Sequence, residues 1–472
     1  MPFIPHTEDQ RAAMLKTIGV SSFEELLAPV PSELILTREL DIPPAHGEIE
    51  LHKAANALLN NTQRIPMNRC FAGGGFYPHH VPAVVDELAR RGEFYSAYTP
   101  YQPEVSQGLL QMIYEWQSYI CMLTGMDIAN ASGYDGGTTL ADAVLMAKYV
   151  HKEKRRKVVF APHVNLDAVE IVATYNLGME MELVECPEAS DGRIDRNGLD
   201  GLLGDDTAAV VFQFPDALGY IEEDLADLIA QVQAAGALAI VSFYAFAAGL
   251  MKTPGELGAD IVCGEAQCFG NYMGYGGPVC GFLACREKYV RVLPGRLIGR
   301  TKAQRNNDDG ERIDGEGFVM TLQAREQHIR REKATSNICT NQTLLALRST
   351  IYLGAIGRQG FVNIAAQCHQ TAVTTHKELR KIAGVDDFYG NRPFFNEFTL
   401  RFQPGKRNDI YAEGLKRGIL AGIKPVQPVT GLAVAGSTHD GRLDDCLTFA
   451  FTEVHGKSDI DALIKLVKEV LA

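Results

Sequence analysis

Five short apolar runs, each separated from the next by a segment with helical features, occupy the middle of the chain. The runs are KVVFAP (157–162), MELVECP (181–187), TAAVVFQFP (207–215), ALAIVSFYAF (237–246) and ADIVCG (259–264). Strands that alternate with helices form a parallel sheet with helices on both faces. Strands buried on both sides are nearly continuous in apolar residues, as these runs are. The pattern predicts a large α/β unit built on a parallel-rich sheet.

Further elements flank this alternating region. Upstream, Ser22 before FEELLAPV predicts a helix start, and the run 105–124 carries apolar residues at helical spacing. Downstream, a long helical region at roughly 341–383 precedes the segments EFTLRF, DIYAEGLKRGILAG, CLTFAFTE and SDIDALIKLVKEVLA, which predict a small α/β domain. The polar, glycine-bearing segment 299–317 predicts an exposed excursion.

These elements predict three regions. Residues 1–90 form an N-terminal helical and extended segment, 91–320 a large domain, and 321–472 a connecting helix with a small C-terminal α/β domain. At 472 residues, the chain is long enough for more than one compact region.

Charge and cysteine usage exclude several classes of partner. The formal net charge of -13 argues against a nucleic-acid or anionic-membrane surface. The ten cysteines show no CxxC pair and no zinc-ligand spacing, so we expect reduced, mostly buried thiols and no metal site. No stretch is long and apolar enough to span a bilayer, and the first residues lack a basic flank before an apolar run. We therefore expect a cytoplasmic protein.

A glycine-bearing turn precedes a helical segment in ANASGYDGGTTLADAVLMAKYV. It contains Asp135, Gly136, Gly137 and Thr138. Free backbone N–H groups at a helix start suit a phosphate. Such turns are also common without a ligand, and neither the Walker nor the dinucleotide spacing is present. The turn alone leaves both interpretations open.

A dense cluster of tyrosines lies in the proline-broken segment FYSAYTPYQPEVSQG. Tyr98, Tyr101, Gln102 and Glu104 are its candidate functional residues. The prolines predict a fixed loop. That loop can be a rigid connector, or a pocket wall that offers phenol and carboxylate groups to a substrate.

The glycine-rich segment between 264 and 277 lies between two predicted strands and lacks a lysine. A pyridoxal-phosphate enzyme needs a lysine amine about here, but none occurs between Lys252 and Lys288. The preceding strand also lacks an acidic residue at its end, where a carboxylate would pair with the pyridinium nitrogen. Tyr244 cannot supply that charge.

A run of basic and acidic residues, REQHIRREKATSN (325–337), follows the polar excursion. Arginines and glutamates at such spacing usually form a solvated or salt-bridged helix face. The polar turn at its end, 335–337, could instead clamp an anion or contact a partner.

Several motifs in the same order resemble the glycine decarboxylase P-protein family of the glycine cleavage system. They are AYTPYQPEVSQG, LTGMDIANASGYDGG, TPGELGADIVCGEAQ, GYGGP, LPGRLIG and REQHIRREKATSNICTNQ. The missing lysine and the length resemble the first, or alpha, subunit of the two-chain form. The resemblance implies an aspartate-aminotransferase-like large domain, the pyridoxal-phosphate fold type I.

The resemblance also implies an activity and partners. Glycine would lose carbon dioxide on pyridoxal phosphate, and its aminomethyl group would pass to the lipoyl arm of the H-protein. A beta subunit would bind the cofactor covalently through its own lysine, in a heterotetramer of two chains of each kind.

The resemblance assigns residues of this chain to that site. Tyr98, Tyr101, Gln102 and Glu104 would line it, 135–138 would be a degenerate phosphate turn, and Gln267 would lie near the lost lysine position. Tyr244 and Ala245 depart from the family, whose alpha chains more often have an Asp-Pro pair there.

Two other interpretations remain open. The chain could be a catalytically inactive scaffold or regulator of a pyridoxal-phosphate partner. It could also be a self-sufficient enzyme that uses an unexpected lysine such as Lys252 or Lys333, although both lie outside the glycine-rich turn.

Overall fold

A computed structural model of the chain describes residues 6–60, 62, 64–306, 310, 312–390, 392–425 and 441–472. The chain divides into two compact units, Met1–Gln63 and Arg64–Ala472. The three-region division at residues 90 and 320 stays a prediction. All ten cysteines are free thiols.

Fourteen α-helices lie in the described residues. In chain order they are α1 Glu8–Ile18, α2 Phe23–Leu26, α3 Glu48–Asn60, α4 Ala83–Ala89, α5 Gly92–Tyr95, α6 Gln107–Thr124, α7 Gly136–Val150, α8 Leu166–Asn176, α9 Arg196–Leu202, α10 Leu225–Ala234, α11 Gln327–Arg330, α12 Thr343–Leu379, α13 Lys406–Lys416 and α14 Lys457–Leu471. None of these described helices has the length and apolar content to cross a membrane.

The described strands form three sheets. The strands are β1 Ile128–Ala129, β2 Lys157–Phe160, β3 Glu182–Glu185, β4 Thr207–Phe214, β5 Leu238–Phe243, β6 Ile261–Glu265, β7 Gly281–Cys285, β8 Leu297–Asn306, β9 Arg312–Thr321, β10 Val385–Asp387, β11 Glu397–Phe402 and β12 Cys446–Ala450. The sheet orders are β1-β7-β6-β5-β4-β2-β3, β10-β11-β12 and β8-β9.

The seven-stranded sheet confirms the predicted α/β architecture. The five apolar runs of the sequence become β2 to β6, which pair in parallel. The sheet is mixed, because β7 pairs antiparallel with both β6 and β1. Residues 207–212 of β4 are all buried, as expected for a strand covered on both faces.

The C-terminal segments form the predicted small α/β arrangement. Its three strands are antiparallel, with Phe398 opposite Phe449 in the register of β11 and β12. Both side chains lie in a core that also contains Leu463 and Leu466 of α14. The amphipathic pattern of the last helix therefore has its predicted packing role.

Two segments contain elements that the sequence interpretation did not predict. The polar excursion contains the antiparallel hairpin of β8 and β9. The basic run does not form one helix face, because 323–333 divides into α11 and two short 3-10 turns. Arg325 is partly buried there and donates to the backbone carbonyl of Gly295 at 3.0 Å, so it is not simply solvated.

Candidate functional site

Three parallel strands and one helix meet at one edge of the large sheet. The carboxyl ends of β4, β5 and β6 lie together there, and ligands of open α/β sheets bind in the crevice outside such ends. Tyr244 follows β5, Glu265 ends β6, and Gln267 lies two residues further on. We call Asp135–Thr138, Tyr244, Glu265 and Gln267 the sheet-edge site.

The glycine turn forms a helix start, as its sequence predicts. Asp135 caps α7 by accepting the N–H of Thr138 at 2.7 Å, and the Thr138 hydroxyl accepts the N–H of Asp135. The N–H of Gly136 donates to Oε2 of Glu265 at 2.8 Å. Two N–H groups that would suit a phosphate therefore already bind carboxylates of the protein itself.

Packing within the protein accounts for the first glycine of the turn, Gly136. A Cβ added at Gly136 would lie 3.0 Å from the Cβ of Glu265, and one added at Gly137 would lie 2.4 Å from Cδ1 of Ile171. The close approach of the β6 backbone therefore requires a small residue at Gly136, with or without a ligand, whereas the Ile171 atom beside Gly137 is the end of a side chain that can move.

Glu265 accepts three backbone N–H groups, one of them from the glycine turn. Its Oε1 accepts the N–H groups of Gln267 at 2.9 Å and Cys280 at 3.1 Å, in addition to the Gly136 contact of Oε2. Burial raises the pKa of Glu265 to about 7, and the three N–H donors oppose that rise. Above pH 7 a phosphate at this turn would meet a carboxylate, which repels it.

Gln267 is a fixed, neutral part of the protein interior. It is 2 % exposed. Its Oε1 accepts the N–H of Tyr77 at 3.1 Å, and its Nε2 donates to the carbonyl of Asn271 at 3.0 Å. A lysine here would leave the Tyr77 N–H without this acceptor.

Tyr244 belongs to a buried hydrogen-bond chain. Its hydroxyl lies 2.8 Å from Nε2 of His79, and Nδ1 of His79 lies 2.8 Å from Oε2 of Glu453. Burial raises the pKa of Tyr244 well above its usual value, so the phenol stays neutral. A neutral hydroxyl cannot supply the negative charge that would pair with a pyridinium nitrogen.

Tyr77 links the hydrogen-bonded residues around Tyr244 to a second buried acid, Glu397. Its ring centroid lies 4.6 Å from that of Tyr244. Its hydroxyl donates to Oε2 of Glu397 at 2.8 Å, and Oε1 of Glu397 accepts the N–H of Gly74 at 2.8 Å. Tyr77, His79, Glu397 and Glu453 are residues that the sequence interpretation missed. The glycine run before Tyr77 was the available signal for a close backbone approach.

His79 and Glu453 also belong to a group of three side chains with potential metal-ligand atoms. Ligand atoms of His79, Cys368 and Glu453 lie within 4.8 Å of one another. The histidine and the carboxylate already bind each other, and the thiol contacts Glu453 Oε2 at 3.7 Å. The three side chains therefore satisfy one another as a polar network.

The predicted residues of the tyrosine loop are exposed, unlike the residues of this buried network. Tyr98 is 82 % exposed and Tyr101 is 54 % exposed, and Gln102 and Glu104 are exposed as well. The two tyrosine rings lie 6.4 Å apart between centroids. Their role as site-lining groups stays a prediction.

The sheet-edge site does not fit a pyridoxal phosphate bound covalently by this chain. The Asp135–Thr138 turn already binds Glu265, Gln267 carries no amine, and Tyr244 provides no carboxylate. The arrangement instead stabilises the fold through satisfied polar groups.

The sequence matches one family over almost its whole length. A family model described as glycine cleavage system P-protein matches residues 1–449. A protein of Thermomicrobium roseum named probable glycine dehydrogenase (decarboxylating) subunit 1 is 44 % identical, with 100 % of both chains covered. One of Moorella thermoacetica with the same name is 42 % identical, again with 100 % of both chains covered.

Solved structures show the same fold. A crystal structure of glycine decarboxylase (P-protein) of the glycine cleavage system, in inhibitor-bound form, has a TM-score of 0.84 and 38 % identity, with 100 % of both chains covered. An apo cysteine desulfurase of Thermococcus onnurineus has a TM-score of 0.58 and 18 % identity, covering 91 % of this chain and 99 % of its own. The second similarity shows the fold alone.

Proposed function

Because this chain belongs to the glycine cleavage system P-protein family, we propose that it is the first subunit of a glycine decarboxylase, an oxidoreductase acting on glycine. The observation that carries the proposal is the sheet-edge site. Its glutamine and its internally bound glycine turn leave the chain without a place for its own cofactor. Both features support a second subunit that completes the enzyme.

In this proposal, the second subunit binds pyridoxal phosphate covalently. The cofactor supplies stabilisation of the carbanion formed when glycine loses carbon dioxide. The aminomethyl group then passes to the lipoylated H-protein, and two copies of each subunit assemble in the cytoplasm. The exposed tyrosine loop of this chain would offer its phenol and carboxylate groups to the shared site.

The N-terminal unit supports association with another chain. Helices α1, α2 and α3 have no buried residue. Large apolar side chains are exposed there, among them Leu34 at 72 % and Leu58 at 71 %. Apolar surface of this kind is typical of protein interfaces, so we propose that this unit packs against the second subunit.

Substitution in the N-terminal unit tests that interface. We expect Leu58→Glu to weaken binding of the second subunit about tenfold, because one buried leucine contributes about 1.5 kcal/mol or more. Titration by light scattering or calorimetry measures the affinity. Leu177→Glu is the matched control, since Leu177 is 81 % exposed and lies in the other unit. Equal affinities of both variants and the unchanged chain would place the interface elsewhere.

Substitution in the tyrosine loop tests the shared site. Reconstituted with the second subunit, Glu104→Ala and Tyr101→Phe are expected to lower glycine–bicarbonate exchange by about tenfold or more while assembly is kept. Controls are Glu182→Ala and Tyr275→Phe, at exposed positions outside the loop.

The same exchange assay separates the proposal from its main alternative. Full exchange activity in both loop variants would favour the inactive scaffold or regulator. Loss of activity with intact assembly would count against that alternative, because a scaffold has no need of a particular hydroxyl or carboxylate.

A further inference from the structure

Three potential metal ligands meet beside Tyr244, although they are far apart in the sequence. Ligand atoms of His79, Cys368 and Glu453 lie within 4.8 Å of one another. His79 lies before α4, Cys368 belongs to α12, and Glu453 follows β12. The two that are nearest in sequence, Cys368 and Glu453, are 85 positions apart. Spacing along the chain, on which the expectation of no metal site was based, therefore could not reveal this group.

Charge and burial at this group suit a cation. The Glu453 side chain is 11 % exposed and that of His79 is 2 % exposed, while Cys368 is fully buried. Across the described parts of the chain, His79 is the one basic side chain that pairs with Glu453. A buried carboxylate needs a positive partner. A divalent ion bound by one carboxylate and one thiolate forms a group without net charge, which is the least costly charge state in a protein interior.

Two outer hydrogen bonds orient the ligand side chains. Nε2 of His79 lies 2.8 Å from the Tyr244 hydroxyl, and Nδ1 of the same ring faces Oε2 of Glu453 at 2.8 Å. The other carboxylate oxygen, Oε1, accepts the N–H of His80 at 2.8 Å. Sγ of Cys368 lies 3.7 Å from Oε2 of Glu453. Nδ1, Oε2 and Sγ therefore lie together, while partners outside the group fix the imidazole and the carboxylate, as is usual for metal ligands.

We propose that His79, Cys368 and Glu453 bind one zinc ion through Nδ1, Sγ and Oε2. An imidazole, a thiolate and a carboxylate are ligands that zinc accepts in tetrahedral sites. With bonds of about 2.0–2.1 Å to nitrogen and oxygen and about 2.3 Å to sulfur, tetrahedral ligand atoms lie about 3.3–3.7 Å apart. The distance of 3.7 Å between Sγ and Oε2 already fits. Nδ1 and Oε2, now 2.8 Å apart, separate by about half an ångström.

Zinc binding exchanges protons for the ion. The Cys368 thiol loses its proton to solvent as the bond between zinc and sulfur forms. Nδ1 of His79 binds through its lone pair, so the ring proton lies on Nε2 and is donated to the Tyr244 hydroxyl. A water molecule takes the fourth position of the tetrahedron. The ion joins the segment before α4 to the long helix α12 and to the segment after β12, and it stabilises their junction.

Cobalt(II) tests the site, because a thiolate ligand gives cobalt a charge-transfer band in the near ultraviolet. Growth of the expressing cells with added cobalt supplies the ion while the chain folds. The full chain, purified without chelators, is expected to carry about one cobalt ion and to show the band. Cys368→Ser is expected to lower bound cobalt at least about tenfold and to remove the band, because a hydroxyl does not replace a thiolate ligand. Cys186→Ser is the matched control, at another buried thiol whose contacts are backbone carbonyls.

A second variant covers the case in which Cys368→Ser does not fold. Glu453→Gln keeps the shape of the side chain and an oxygen for the His80 N–H, but it loses the charge that balances the ion. It is expected to lower bound cobalt at least about tenfold and to leave the circular dichroism spectrum unchanged. Glu182→Gln makes the same change at an exposed position and is expected to keep the cobalt. Unchanged cobalt content in either folded ligand variant would overturn the proposal.

The assembled enzyme provides an independent comparison. The complex of both subunits, purified from cells grown with added zinc, is expected to contain about one more zinc ion per copy of this chain than the complex that carries Cys368→Ser. Elemental mass spectrometry measures this difference. Equal zinc content of the two complexes would overturn the proposal, and so would the absence of the cobalt band from the unsubstituted chain. None of these outcomes depends on glycine decarboxylation, so the zinc site and the proposed function can fail separately.

Discussion

Purified alone and reduced with borohydride in the presence of pyridoxal phosphate, the chain is expected to retain no stoichiometric adduct. Borohydride fixes the cofactor only where a lysine amine has formed an imine with it. Gln267 offers no amine, and Glu265 already binds the Gly136 N–H of the turn. Mass mapping of the reduced complex is expected to find the cofactor on a lysine of the second subunit.

Restoring a lysine should not be enough to restore labelling. Gln267→Lys is expected to stay unlabelled above pH 7, because the Glu265 carboxylate repels the cofactor phosphate. The double variant Glu265→Ala and Gln267→Lys removes that charge and frees the Gly136 N–H, so it is expected to label more strongly. Gln359→Lys, at an exposed position of α12, controls for nonspecific modification.

A stoichiometric adduct on the unsubstituted chain would contradict this account. An adduct on Lys252 or Lys333 would instead indicate a self-sufficient enzyme. Equal labelling of the single and double variants would show that Glu265 does not obstruct the turn.

The elements of the fold could be predicted because their signals are local. The apolar runs that became β2 to β6 and the helical spacing of 105–124, which contains α6, depend on neighbours within a few residues. The capped start of α7 is equally local, since Asp135 and Thr138 are three positions apart. Local patterns did not reveal the division of 323–333 into short turns, where Arg325 bonds a carbonyl thirty positions away.

The contacts that decide the chemistry of the sheet-edge site are not local. Gly136 and Glu265 are 129 positions apart, and Tyr77 and Glu397 are 320 positions apart. The sequence shows that a lysine is missing near Gln267. It does not show that Glu265 binds the Gly136 N–H of the turn, because no spacing rule links residues that only the fold brings together. Gln267 offers no amine, and Glu265 already binds the Gly136 N–H, so the side chains and the backbone of this site both disfavour a covalently bound cofactor.

Glu397→Gln is expected to stabilise the protein at pH 8 by about 3 kcal/mol and to change little near pH 4.5. Burial raises the pKa of Glu397 from 4.5 to about 7, and the hydrogen bonds from Tyr77 and Gly74 oppose the rise. The amide fits the same contacts. Its oxygen accepts the Gly74 N–H and its nitrogen donates to the Tyr77 hydroxyl, which can rotate to accept.

The sign of the pH dependence follows from where the proton binds. Between pH 4.5 and 7 the folded protein keeps the Glu397 proton that the unfolded chain has lost. The free energy of unfolding of the unsubstituted protein therefore falls as pH rises through this window, and it levels off above pH 7. The amide does not titrate, so the advantage of the variant grows over the same window. Asp142 and Glu265 also make the free energy of unfolding fall as pH rises, since burial raises the pKa of each to about 7. They do so equally in both proteins.

Urea unfolding at pH 5 and pH 8 measures the difference between the two proteins. Glu182→Gln is the control, because it makes the same change from carboxylate to amide at an exposed position. If Glu397→Gln destabilises the protein at pH 8, the hydrogen bonds from Tyr77 and Gly74 stabilise the Glu397 carboxylate by more than its burial costs. In that case the pKa of Glu397 would not be raised by burial, and the buried network beside Gln267 would carry a negative charge below pH 7 as well, which further disfavours a cofactor phosphate in this chain.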